Sequence, residues 1–250
     1  MMQDRVKILG VNIDKIRMDR LFNKTLVYMN QVSFRCIYFI GMNTVFLAEK
    51  DEEFIRFLEQ CDFVIAAETV IEKKVYFEKS TSKPENKLLA QRYLERLFIR
   101  ASKNKLSLYL IGDDAEEIEG ISDYLEKTYG VRTFKSCVEE ETKEDAIDFI
   151  INDINSVAPD MMLILMNGMK TMEFIQENRA RMDVKLCLCV GDAKEELLME
   201  QGLELDTPIW IKQLNLEKWY RFIFQNFSFT RTILKKRLQK KIKKEELEEK

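Results

Sequence analysis

The sequence predicts an α/β protein: a Rossmann-like, mostly parallel sheet with helices on both faces, plus a C-terminal helical appendage. Three observations carry that expectation. Seven short apolar runs of four to seven residues recur along the chain, rich in Val, Ile, Leu or aromatics, as buried strands are. Amphipathic stretches long enough to be crossover helices separate them, which favours parallel pairing. After Asp206-Thr207-Pro208 the pattern stops, and an aromatic segment and then a basic one take over.

In chain order, the predicted strands are Val6–Val11, Cys36–Ile40, Asp62–Ala66, Leu106–Ile111, Val131–Phe134, Met161–Met166 and Val184–Val190. The first predicted helix, Met18–Met29, sets Leu21, Leu26 and Met29 at helical spacing, and Thr44–Leu58 does so with Phe46, Phe54 and Leu58. Leu88–Ala101, Ala115–Tyr129, Lys143–Val157 and Thr171–Asn178 follow, and Gly130 is a suitable residue to close the helix before it. Lys79–Asn86 is a polar break. The expected division is a core over residues 1–207 and an appendage over 208–250.

Composition excludes several chemistries. The 250 residues contain no histidine, so imidazole catalysis and His-ligated metals are ruled out. Among eight glycines the closest two, Gly112 and Gly120, are eight apart, which forbids the glycine-rich phosphate loops. No two aspartates lie two apart, which closes the Asp-x-Asp metal route. Glu139-Glu140-Glu141 reads as a solvated acidic loop, so no metal or other cofactor is expected. Five cysteines, Cys36, Cys61, Cys137, Cys187 and Cys189, make a disulfide framework improbable, and Cys187 and Cys189 read as plain core residues.

Charge is unevenly placed. The net charge is −3, yet residues 229–250 hold nine Lys/Arg against four Glu. The aromatic segment includes Trp210, Trp219, Tyr220, Phe222 and Phe224. The basic helix expected over Thr232–Lys244 carries a narrow apolar stripe of Ile233, Leu234, Leu238 and Ile242. Such a helix can lie in a membrane interface, pack on its own domain, or bind nucleic acid; the acidic body disfavours the last. The first is carried forward, with Trp210, Trp219, Lys235, Lys236, Arg237, Lys240 and Lys241 at an anionic membrane surface. No apolar run approaches the ~20 residues of a membrane-spanning helix. The expected location is therefore cytoplasmic, peripheral at a membrane.

In open parallel sheets ligands bind beyond the carboxyl ends of the strands. Here those positions are Gly41–Thr44, Ala66–Thr69, Gly112–Asp114, Val138–Glu141, Asn167–Lys170 and Gly191-Asp192. Without histidine a general base must be a carboxylate, and Glu68 and Asp192 are the candidates. The competing role for Asp113, Asp114 and Asp192 is that of helix caps or first-turn acids.

The order of these segments resembles the WecG/TagA/CpsF glycosyltransferases of bacterial surface-polysaccharide synthesis, from about Ile8 to Leu238. The segments that carry the resemblance are Ile8–Asp14, Gly41-Met42-Asn43, Ala66-Ala67-Glu68, Asn167–Met172, Cys189–Asp192, Pro208-Ile209-Trp210 and Leu216–Arg221. The resemblance implies a metal-independent transfer of an N-acetylmannosamine-type sugar from UDP to an undecaprenyl-diphosphate-linked acceptor. It also implies a basic C-terminal appendage that reaches the inner face of the cell membrane, and a homo-oligomer or partner glycosyltransferase. Asn43 then falls on a catalytic position, while Glu68 falls on the glycine of the family's P-D-G and serves as a replacement base only through a one-residue slip. Gly112, Asn167, Gly168, Lys170, Gly191 and Arg221 fall on the nucleotide-sugar site. The departures lie on the chemistry: the family's T-x-N threonine is Gly41, the P-D-G aspartate is Ala67, and the second glycine of GVGG is Asp192. Impaired or lost catalysis is therefore expected, the alternative being a non-catalytic membrane-surface scaffold.

Overall fold

Alternate residues of the central strands face opposite sides of one sheet and so divide the core in two. In β3 (Arg35–Ile40), Cys36, Tyr38 and Ile40 enter one cluster while Ile37 and Phe39 enter the other; Met162 and Ile164 oppose Met161 and Leu163 in the same way in β7 (Met161–Ile164). The computed structural model describes residues 4–77, 89–138, 144–194 and 234–245. Its main sheet has six strands in the order β4-β3-β8-β7-β5-β6, every pair parallel. The remaining members are β4 (Phe63–Ala66), β5 (Ser107–Gly112), β6 (Arg132–Cys137) and β8 (Leu186–Cys189).

The first predicted strand is instead a hairpin, β1 (Arg5–Ile8) and β2 (Val11–Asp14), paired antiparallel. Leu9 (φ 46°) and Gly10 (φ 87°) both take the left-handed conformation a two-residue hairpin turn needs. The hairpin is tied to the sheet by buried Asp14, whose carboxylate accepts from Val64 N–H at 2.8 Å and Arg5 Nε at 2.9 Å. Burial nevertheless raises the Asp14 pKa, against the pull of those two donors.

Helices cover both faces. One carries α1 (Met18–Met29), α5 (Leu89–Asn104) and α6 (Ala115–Tyr129), through Leu21, Leu97 and Ile121 among others. The other carries α2 (Met42–Ala48), α3 (Glu52–Gln60), α4 (Thr69–Phe77), α7 (Glu144–Val157) and α8 (Gly168–Asn178), through Val45, Phe54, Ile71, Ile154 and Phe174. The predicted helix Thr44–Leu58 is thus two helices. Asp51 restarts the chain by accepting from the amides of Glu53 and Phe54 at 2.9 and 3.0 Å. Gly130 (φ 68°) closes α6 as expected.

A last helix, α9, spans residues 234–245. Leu238 and Ile242 of its apolar stripe are buried in the core cluster shared with α2 and α3. Arg237 and Lys241 lie over the Phe46 ring of α2 at 5.6 and 5.7 Å, Lys241 pairs with Glu49, and Glu245 accepts the Leu9 amide at 3.1 Å. The apolar stripe is therefore turned to the protein and the basic face outward. Ile233 lies outside the described residues, as do Glu139–Glu141 and Lys79–Asn86.

Candidate functional site

The crossovers leaving β5 and β7 run in opposite directions, to β6 on one side and to β8 on the other. Their helices, α6 and α8, therefore pack on opposite faces and part above the strand ends, which opens a crevice there. Five adjacent strands, β4, β3, β8, β7 and β5, deliver Glu68, Asn43, Gly191, Asn167 with Gly168, and Gly112 to this rim.

At the β5–β7 junction, Lys170 in the first turn of α8 reaches Asp113 after β5, with Nζ 2.9 Å from Oδ2. Asn167 caps α8, its Oδ1 accepting the Lys170 amide at 3.1 Å, while Gly168 is buried beneath it. The same rim holds Lys194, whose ammonium lies 2.5 Å from Glu117 Oε2 and 3.3 Å from the Leu165 carbonyl oxygen. Burial raises the Glu117 pKa, and Lys194 opposes the rise. Asp114 caps α6 by accepting from Glu117 N–H at 3.0 Å. The crevice thus offers a helix N-terminus and a partly exposed lysine, both suited to an anion, beside an aspartate that would repel one.

Gly191 and Gly112 are there for space. A Cβ on Gly191 would stand 1.6 Å from the Met166 carbonyl oxygen, which is itself held by the Thr171 hydroxyl at 2.9 Å. A Cβ on Gly112 would meet Ile118 at 3.0 Å and Leu165 at 3.2 Å. The 3₁₀ turn Gly191–Ala193 follows β8 and contacts both α2 and α8, joining the two halves of the rim.

At the β3–β4 end, Glu68 is 3% exposed and its Oε1 accepts the Met42 amide of α2 at 3.1 Å. Gly41, the residue before α2, has no side chain with which to cap it. The buried carboxylate of Glu68 fills that role, and an anion at a helix N-terminus is favoured there. Asn43, the second residue of α2, is exposed.

A groove of about 580 Å³ opens between α4 and α9, lined by Lys73, Lys74, Lys235, Lys236, Lys240 and Lys243. Thr69 and Val70, directly after Glu68, also line it, so it adjoins the β4 end of the rim. Among the described residues no carboxylate pairs with Lys73, Lys235, Lys236, Lys240 or Lys243. The basic residues predicted for a membrane surface therefore divide. Lys235, Lys236 and Lys240 face the groove, whereas Arg237 and Lys241 hold α9 to α2.

Arg221, Trp210 and Trp219 lie outside the described residues. Sequence reading missed Glu117 and Lys194, whose pairing joins positions 77 residues apart. It also missed Lys73 and Lys74. The Lys-Lys pair is visible in the sequence, but α4 itself was not predicted because its Thr-Val-Ile start and Val-Tyr-Phe end are weak helix formers. Among the described residues no helix is long and apolar enough to cross a membrane.

Compared with known proteins, residues 6–239 match the family model described as Glycosyl transferase WecG/TagA/CpsF family. No curated protein gives a significant match.

Proposed function

This chain belongs to the WecG/TagA/CpsF family of glycosyltransferases, and from that premise we propose that it binds a UDP-sugar and a polyprenyl-diphosphate-linked acceptor in bacterial surface-polysaccharide synthesis, with sugar transfer impaired or lost. In such a transfer the acceptor hydroxyl oxygen attacks the anomeric carbon as UDP departs. A base must take the hydroxyl proton, and fixed positive charge must hold the diphosphate.

The observation that carries the reading is the state of Glu68. Proton abstraction needs a base within reach of substrate, yet this carboxylate is buried and engaged at the head of α2. At the position where the resembled motif has a threonine, well suited to capping a helix, stands Gly41. The acid nearest the expected base thus does the work of a missing cap. The diphosphate half of the site is better kept: Lys170 and the α8 N-terminus face the β5–β7 crevice, although Asp113 competes for the lysine.

The lysine groove suits the reading that the protein works peripherally at the inner face of the cell membrane. Ammonium groups crowded along one groove, five of them with no carboxylate partner among the described residues, repel each other and attract the phosphates of lipid headgroups or of a lipid-linked acceptor. No metal enters this scheme, since lysine and a helix N-terminus supply the positive potential.

Calorimetric titration with UDP, together with a transfer assay, tests the proposal. UDP binding that Lys170→Ala abolishes, without product formation, is the expected result. Turnover that depends on Glu68 would overturn it. The absence of any UDP binding would favour the alternative, a non-catalytic scaffold for other polysaccharide enzymes, which the burial of Glu68 equally supports.

A further inference from the structure

Four of the five cysteines converge at one point inside the sheet. The parallel register sets Cys36 of β3 opposite Cys187 of β8, and Tyr38 opposite Cys189, so these three thiols share one face. Cys61 joins them from the end of α3. The Sγ atoms of Cys36 and Cys189 are 3.6 Å apart, those of Cys61 and Cys36 3.6 Å, and those of Cys187 and Cys189 3.8 Å. Cys36, Cys187 and Cys189 lie mutually within 4.8 Å. A tetrahedral zinc bound by thiolates at about 2.3 Å has sulfur–sulfur edges of roughly 3.8 Å, a spacing that suits Cys36, Cys187 and Cys189 as they stand. Cys61 has it to Cys36 but falls outside that mutually close group and must turn inward to complete the shell.

Filling the core is a poor account of such a cluster, because Ala or Val would fill it without thiols whose weak hydrogen-bonding groups find mainly one another. Met162, the register neighbour of Cys187 on β7, sets a further soft sulfur on the same face. With no histidine in the chain, sulfur is the soft ligand on offer.

We propose that Cys36, Cys187 and Cys189, with Cys61 as the fourth sulfur, bind one thiophilic d10 cation of the zinc class. Each ligating thiol releases its proton to solvent and no electrons are transferred. Buried to between 0% and 6% exposure, the site is closed and structural; it staples β3 to β8 and to the α3–β4 joint. It departs from the reading of these cysteines as plain core residues and does not depend on the proposed sugar chemistry.

Cobalt(II) serves as the probe. The full chain, kept reduced by a phosphine that does not bind metal, is supplied with Co²⁺ both after folding and during refolding. The expected result is a thiolate-to-cobalt charge-transfer band with tetrahedral ligand-field bands, saturating at one ion per chain and displaced by Zn²⁺. Cys36→Ser and Cys189→Ser should abolish the band, and Cys137→Ser should leave it intact. No band under either regime, or a band that persists in Cys36→Ser, overturns the proposal. Should the serine variants fail to fold, X-ray absorption of the zinc-loaded wild type decides: a sulfur-only shell supports the site, and a nitrogen or oxygen shell refutes it.

Discussion

The carboxylate of Glu68 accepts the backbone amide of Met42, closing the head of α2 from the neighbouring strand. Removing it with Glu68→Ala strands a buried amide and should destabilise the protein by about 1–3 kcal/mol. Glu68→Gln keeps an acceptor oxygen and should cost less. Thermal or urea unfolding of both variants checks the order; equal stability of wild type and Glu68→Ala would show that the cap is idle.

Gly191→Ala should be far more severe than most single-methyl additions. The new carbon would collide with the Met166 carbonyl oxygen, a backbone atom that cannot swing aside. A loss of about 3 kcal/mol or more is expected, read by denaturant titration. A near-neutral result would mean that β7 and β8 are not held as described.

At the crevice, Asp113→Asn removes the negative charge that engages Lys170 and faces any incoming diphosphate. UDP affinity should rise by up to about fivefold, the range of a partly exposed ion pair, with little change in stability. Calorimetry on the variant measures it, and weaker binding would place the diphosphate elsewhere.

Tyr76 joins the hairpin to α4: its hydroxyl accepts from Ile16 N–H at 3.2 Å and donates to the Ile16 carbonyl at 3.0 Å. Burial pushes its pKa up from 10.0 to about 12. Between those values the unfolded chain has released this proton and the folded chain has not. The contribution is whole below pH 10 and is lost as the pH climbs through the folded value. Tyr76→Phe should flatten the fall in unfolding free energy across that window by up to about 1.4 kcal/mol per pH unit. Alkaline urea melts of the two proteins report the difference.

Replacing Lys235, Lys236, Lys240 and Lys243 together with Ser should weaken binding to anionic vesicles by up to roughly a thousandfold, at about 1 kcal/mol per lysine. Arg237→Ser and Lys241→Ser should instead loosen α9 from α2, seen as faster amide exchange in 234–245. Flotation that is unchanged in the fourfold variant would remove the groove from any membrane role.

The sheet was legible because its strands are continuous apolar runs, and the long helices because their apolar faces recur at 3.6 residues. Boundaries blurred where a local signal was overlooked: Gly10 inside the first run marks a hairpin turn, and Asp51-Glu52-Glu53 marks the restart of a helix. The site was legible by position alone. Strand ends named Glu68, Asn167, Lys170 and Gly191, but what each does depends on partners far away in sequence. Asp113 finds Lys170 across 57 residues, and Cys36 finds Cys189 across 153, through parallel register that no local pattern encodes. The tail's charge was plain, but not that Leu238 and Ile242 would dock on the core.

The most direct test follows sugar from UDP-N-acetylmannosamine to an undecaprenyl-diphosphate-linked GlcNAc acceptor on anionic vesicles, with the full chain and Glu68→Gln in parallel. The account predicts product at or near the level without protein, and no difference between the two chains. Sustained turnover by the wild type that disappears in a stably folded Glu68→Gln variant would contradict it.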